Sequence, residues 1–170
     1  AAQALHLSLA TALWGSLVVL ATLCWQPQST ARTDTGSSTQ KIVLDYISLM
    51  KPRIVMLLLV TALGGMFLAA NGPPPLSLAL LVMLGGTLGS GGAQAINHYW
   101  DRDIDRLMRR TRSRPVADNR ITPRKALAFG ILLNIAAFVV LTTWVNLLSA
   151  VLTLSATIFY VFVYTGWLKR

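Results

Sequence analysis

Five apolar runs, each long enough or nearly long enough to cross a bilayer, limit what this 170-residue chain can become: Ala4 to Cys24, Ile54 to Ala70, Leu76 to Ile96, Leu127 to Val145 and Leu147 to Leu168. About 20 residues of helix cross the hydrocarbon. Lipid offers no hydrogen-bond partner to the backbone, so a spanning segment must be a helix or part of a closed barrel. None of the runs alternates apolar and polar residues as a barrel strand does. The sequence therefore predicts an all-α integral membrane helix bundle with five transmembrane helices. A composition 54% hydrophobic and only 12% charged excludes an ordinary water-soluble domain.

A net charge of +9 would suggest nucleic acid as partner for a soluble protein, but the distribution of the charge points to the lipid bilayer instead. Arg32 and Lys41 follow the first run, Lys51 and Arg53 precede the second, nine cations lie between Arg102 and Lys125, and Lys169 and Arg170 follow the fifth. The opposite connections, Asn71 to Pro75 and Asn146, carry none. The positive-inside bias then places the N-terminus outside and Arg170 inside, with all five helices in agreement. No basic stretch precedes the first run, so it does not read as a signal peptide. The lone Cys24 has no internal disulfide partner. Gln26 to Gln40 is rich in Ser, Thr and Gln, which divides the chain into a single helix at 1–26, a linker at 27–41 and a main unit at 42–170.

Local signals refine that unit. Asp45 to Met50 reads as an interfacial helix, and Pro52 suits the first turn of the next one. The cluster Gly85, Gly86, Gly89, Gly91 and Gly92 predicts either close helix packing or a thin helix that leaves room for a lipid-like chain. Arg114-Pro115 leaves helix, because a residue before proline is pushed to extended backbone. Thr122-Pro123 reads as an N-cap and first helical residue. Between Asp103 and Thr122 the chain is too polar for lipid and too long for a tight turn, so about fifteen residues there form a basic, ordered cap over the inner helix ends.

At the end of the third run, Asn97, Asp101 and Asp105 recur every four residues, so on a helix they share one face about 12 Å long. Carboxylates at the end of a membrane span are expensive unless they do something. Arg106, Arg109, Arg110, Arg112 and Arg114 follow at once. Hard oxygen ligands beside dense cations suit a metal-bridged phosphate at a membrane surface. A plainer alternative has Asp101, Asp103 and Asp105 as a solvated helix end, paired with Arg102, Arg106 and Arg109 at helical spacing. His98, Tyr99 and Trp100 fit an interfacial aromatic belt, and Asp118-Asn119 a turn. A small non-enzymatic subunit whose basic loop binds anionic lipid remains a second class of reading.

Asn97 to Asp105, with Leu107 to Pro115 behind it, resembles the first aspartate motif of the UbiA-type intramembrane prenyltransferases. Lys51-Pro52-Arg53-Ile54-Val55, with Thr61 and Gly64 to Leu68, resembles the first helix of that family, and Tyr164 to Arg170 its mid-chain motif. His98 stands where many members carry Asp, as it does in the branch that farnesylates haem. The resemblance implies that Asn97, Asp101 and Asp105 hold Mg²⁺ against the diphosphate of farnesyl diphosphate. It assigns Arg53, Arg112, Arg114 and Lys169 to the leaving group, and haem b as the acceptor, giving haem O. Siblings that prenylate quinone precursors or chlorophyllide are the nearest alternatives. The site is expected on the cytoplasmic side of a prokaryotic plasma membrane. Because the family carries a second aspartate motif in its C-terminal half, the resemblance covers an N-terminal half, expected to be inactive alone. Gln3 to Leu7, with Ala10 and Trp14, resembles the last helix of haem A synthase, which implies a fused or associated haem A synthase and His6 as a haem ligand.

Overall fold

The computed structural model describes residues 38–169, so the first apolar run with His6, most of the linker, and Arg170 lie outside the described residues. Five α-helices follow one another: α1 (Ser38–Leu49), α2 (Pro52–Ala69), α3 (Leu76–Leu107), α4 (Pro123–Trp144) and α5 (Leu147–Ile158). The last continues without a break as a π-helix, Phe159–Leu168. Among the described residues there is no strand. Four helices are long and apolar enough to cross a membrane: α2, α3, α4, and α5 together with its π extension. This is an integral membrane helix bundle. α3 runs on to Leu107, well past the apolar stretch that ends at Ile96, so the whole Asn97–Asp105 ladder is helical.

Two prolines open helices where an amide would be orphaned anyway, Pro52 in α2 and Pro123 in α4. Thr122 stands at the N-cap as its sequence position predicts, but its hydroxyl makes no capping bond. Asn146 does cap α5, its Oδ1 accepting from the Ser149 amide at 2.7 Å.

α1 turns Ile42, Val43, Leu44 and Ile47 outward and buries Asp45 and Leu49. This is the pattern of a helix lying in a membrane interface. Leu49 packs with Ala95, Val116, Ile121 and Ala126, flanked by Tyr46 and Phe129, whose rings meet edge-on at 5.0 Å. That cluster pins the basic segment after α3 beneath α1. Arg120 fastens it further, donating to the Asp45 carboxylate, to Asp118 at 3.0 Å and to the Ser113 carbonyl at 2.7 Å. Arg106 reaches back from α3 to the Ala117 carbonyl and the Asn119 Oδ1. Asn119 takes a left-handed turn at φ 58. The segment is thus an ordered cap.

α3 packs most extensively against α4. At their crossing a Cβ on Gly92 would stand 2.7 Å from the Gly130 carbonyl oxygen, and one on Gly130 would stand 2.8 Å from the Gly92 oxygen. Gly85 faces Leu141, Gly89 faces Thr153 and Gly91 faces Met50. Protein atoms fill the glycine face of α3, so of the two readings of that cluster close helix packing is the one realised.

Candidate functional site

On the cytoplasm-predicted end of α3, one face withdraws from solvent and lipid alike: Gln94, Asn97, His98, Asp101 and Asp105 are each at most 6% exposed. Asp103, about half a turn away, has a side chain 67% exposed and lies 3.7 Å from Arg102. The buried acids do not pair along the helix. Asp105 takes both its bonds from the Arg114 guanidinium in the cap, at 2.8 and 2.7 Å, while the Thr111 hydroxyl donates to its carbonyl. Asp101 accepts from the Lys169 ammonium at the end of the π-helix. These partners overturn the solvated helix end, since they reach across the fold and not to the next helical turn.

Asn97 donates through Nδ2 to the Tyr160 hydroxyl at 2.6 Å. Its Oδ1, and Oδ1 of Asp101 one turn on, are buried without a partner, as are both ring nitrogens of His98. A buried acceptor left unpaired costs roughly 1–3 kcal/mol, more if charged. Two such oxygens on one helix face favour a cation. Among the described residues no three of Asp, Glu, His or Cys converge as a ready-made cage. The donor set is instead an amide oxygen and a carboxylate oxygen with Asp105 beyond. That set suits magnesium, which keeps several waters and shares substrate phosphates.

Lys51 belongs to the Lys51–Val55 stretch that resembles the family's first helix, but the sequence assigned it no role in the site. It joins α1 to α2 in a left-handed conformation, φ 51 and ψ 65, which a non-glycine residue adopts at a cost of about 1–3 kcal/mol. The kink brings its ammonium within the field of Arg114, Asp101, Lys169 and Asp105. Burial lowers its pKa from 10.5 to about 8, helped by repulsion from Arg114 and Lys169 and opposed by the two aspartates. A strained, desolvated lysine beside other cations is poised for an anion. Arg53 and Arg112 stand elsewhere: Arg53 is exposed on the first turn of α2, and Arg112 lines a surface hollow with Arg106, Ser113, Ala117 and Asp118. The structure therefore brings together Asn97, Asp101, Asp105, Arg114 and Lys169, adds Lys51, and leaves Arg53 and Arg112 outside that group.

Residues 58–170 match the UbiA prenyltransferase family. The chain belongs to that family. It is 52% identical over 130 residues to a protoheme IX farnesyltransferase of Symbiobacterium thermophilum, covering 76% of this chain and 43% of that protein. It is 44% identical over 184 residues to a protoheme IX farnesyltransferase of Roseiflexus sp., covering 99% of this chain and 34% of that protein. A third, from Salinispora tropica, is 45% identical over 148 residues, covering 84% of this chain and 46% of the relative. The chain thus spans less than half the length of these relatives. No solved structure matches it. Within this UbiA chain the matched region takes in every member of the constellation except Lys51, which lies seven residues before it.

Proposed function

We propose that this protein transfers a farnesyl group from farnesyl diphosphate to haem b, giving haem O, at the α3 ladder. The observation that carries the reading is the pair of buried, unpartnered oxygens on Asn97 and Asp101, on a helix face whose acids meet Lys169 and Arg114 and whose charges act on Lys51. The names of the relatives favour haem over a quinone precursor as acceptor. Asn97 and Asp101 would hold Mg²⁺, with Asp105 joining them as Arg114 exchanges its carboxylate for phosphate oxygens. When bound, the metal supplies positive charge against the diphosphate. Lys51, Arg114 and Lys169 stabilise the negative charge that grows on the departing oxygen as the allylic C–O bond breaks. The allylic cation left behind is captured by a haem vinyl group, which moves the positive charge to the carbon beside the porphyrin ring. One water molecule adds there and loses a proton, giving the hydroxyl-bearing side chain of haem O, while shielding from bulk water until that point keeps the farnesyl cation from being hydrolysed. Reconstituted in liposomes together with the C-terminal half that the family carries, the protein given farnesyl diphosphate with haem b or with 4-hydroxybenzoate is expected to yield haem O and no prenylated benzoate, and the chain alone to yield neither. The reverse result rejects the acceptor assignment.

The reading places the ladder on the cytoplasmic face of a prokaryotic plasma membrane, supported by the cations gathered at that end of the bundle. Arg112→Cys is expected to react with a membrane-impermeant maleimide only from inside-out vesicles. For residues 1–26 the reading is a fused haem A synthase end with His6 as a haem ligand. Alignment across almost the whole chain with the Roseiflexus protein supports an N-terminal segment of this kind in a relative. His6→Ala is expected to lower the haem that co-purifies with the protein, and unchanged haem content would reject the ligand role.

Lys51 supplies a pH signature. With its pKa near 8, the folded protein has lost this proton by pH 9, while an unfolded lysine keeps it to about 10.5. Diphosphate set beside it favours the ammonium and raises the pKa again. Binding of magnesium diphosphate at pH 8.5 is therefore expected to take up protons and to weaken as pH rises through 8. Calorimetry in buffers of different ionisation enthalpy reads this directly. Lys51→Gly, which adopts φ 51 without strain, should abolish the uptake while leaving stability within about 1 kcal/mol.

A further inference from the structure

Tyr160 and Lys169 both reach the α3 ladder, the first at Asn97 and the second at Asp101, although they are nine residues apart in one helix. In an α-helix residues nine apart point in roughly opposite directions, at 3.6 residues per turn. One of the two would then face away from α3. The π-helix removes the conflict. Its i→i+5 bonds widen the turn to roughly four and a half residues, so nine residues complete about two turns. The wide register holds through the Lys169 amide, which bonds the Tyr164 carbonyl at 3.0 Å. The hydroxyl of fully buried Thr165 donates to the Tyr160 carbonyl, five residues back, at 3.0 Å.

Hydrogen-bond direction gives Tyr160 a specific task. Its hydroxyl proton goes to Gln94 Oε1 at 3.3 Å, leaving its oxygen free only to accept, and Asn97 Nδ2 donates to it at 2.6 Å. That locks the Asn97 amide with Nδ2 toward the π-helix and Oδ1 the other way, where it has no protein partner. We propose that Tyr160, presented by the π register and oriented by Gln94, is a positioning residue that turns Asn97 Oδ1 toward a divalent cation. The inference rests on the metal–diphosphate reading of the ladder. Partners one step removed from a metal typically change its affinity 10–100-fold when lost.

The test measures Mn²⁺ binding by electron paramagnetic resonance, in the presence of inorganic diphosphate, for the intact protein in detergent. Tyr160→Phe is expected to weaken Mn²⁺ binding roughly tenfold or more. In an Asn97→Asp background the same substitution is expected to cost nothing, because a carboxylate offers an oxygen in either orientation. Equal losses in both backgrounds mean a merely structural role and overturn the proposal. So does wild-type affinity in Tyr160→Phe when Asp101→Asn binds weakly. Wild-type affinity in Asp101→Asn as well overturns the ladder reading beneath it. If Tyr160→Phe does not fold, Gln94→Leu leaves the tyrosine in place, frees its hydroxyl, and is expected to show the same background-dependent loss.

Discussion

If the proposed function holds, Asp101→Asn in the protein combined with the family's C-terminal half is expected to cut haem O formation by at least roughly 10²–10³-fold at unchanged membrane abundance, the cost of removing one preorganised charge from such a site. Asp101 is 1% exposed, and one of its oxygens meets only Lys169 while the other meets nothing in the protein. The amide keeps the volume and one acceptor, so packing changes little. It removes the negative charge that holds Lys169 and that, in the proposed site, would hold a divalent ion. Asp103→Asn, two residues away on the exposed side of α3, is expected to stay within about twofold of wild type. Haem extraction and chromatography at matched protein levels measures both. Equal effects of the two substitutions would return the acids to a simple helix end and remove the basis for the proposed chemistry.

The parts of this site that could be read from the sequence are those governed by a single helix. Asn97, Asp101 and Asp105 share a face because four residues nearly complete a turn, and α3 preserves that period across the membrane boundary. Pro52 and Pro123 marked helix starts for the same local reason. What escaped depends on backbone departures that no period encodes. A left-handed Lys51 lies in the field of Arg114, Asp101, Lys169 and Asp105, while Arg53, two residues on, is exposed. Cap geometry sends Arg114 to Asp105 and Arg112 to the surface, a choice made by the turns between Thr111 and Ile121. The π register was likewise invisible, since Phe159–Leu168 is as apolar as any α-helical span, yet it sets which residues of that span meet α3.

Gly130→Leu is expected to be the most damaging substitution away from the charged residues, costing about 3 kcal/mol or more. The crossing of α3 and α4 is a contact of backbone with backbone: a Cβ on Gly130 would meet the Gly92 carbonyl oxygen at 2.8 Å and the Ile96 amide nitrogen at 3.0 Å. No rotamer change relieves a clash with a main chain, so the helices must separate. Ile96 immediately precedes Asn97, and moving this part of α3 shifts the ladder relative to Arg114 and Lys169. Loss of function should therefore exceed what loss of folded protein explains. Gly65→Ala in α2 is the informative opposite, because nothing lies within 4 Å of a Cβ there. In mid-helix that change is expected to stabilise by about 0.5–1 kcal/mol. Unfolding midpoints in detergent, with haem O formation per folded molecule, separate the two outcomes. A tolerated leucine at Gly130 would mean that the α3–α4 contact does not hold the ladder in place.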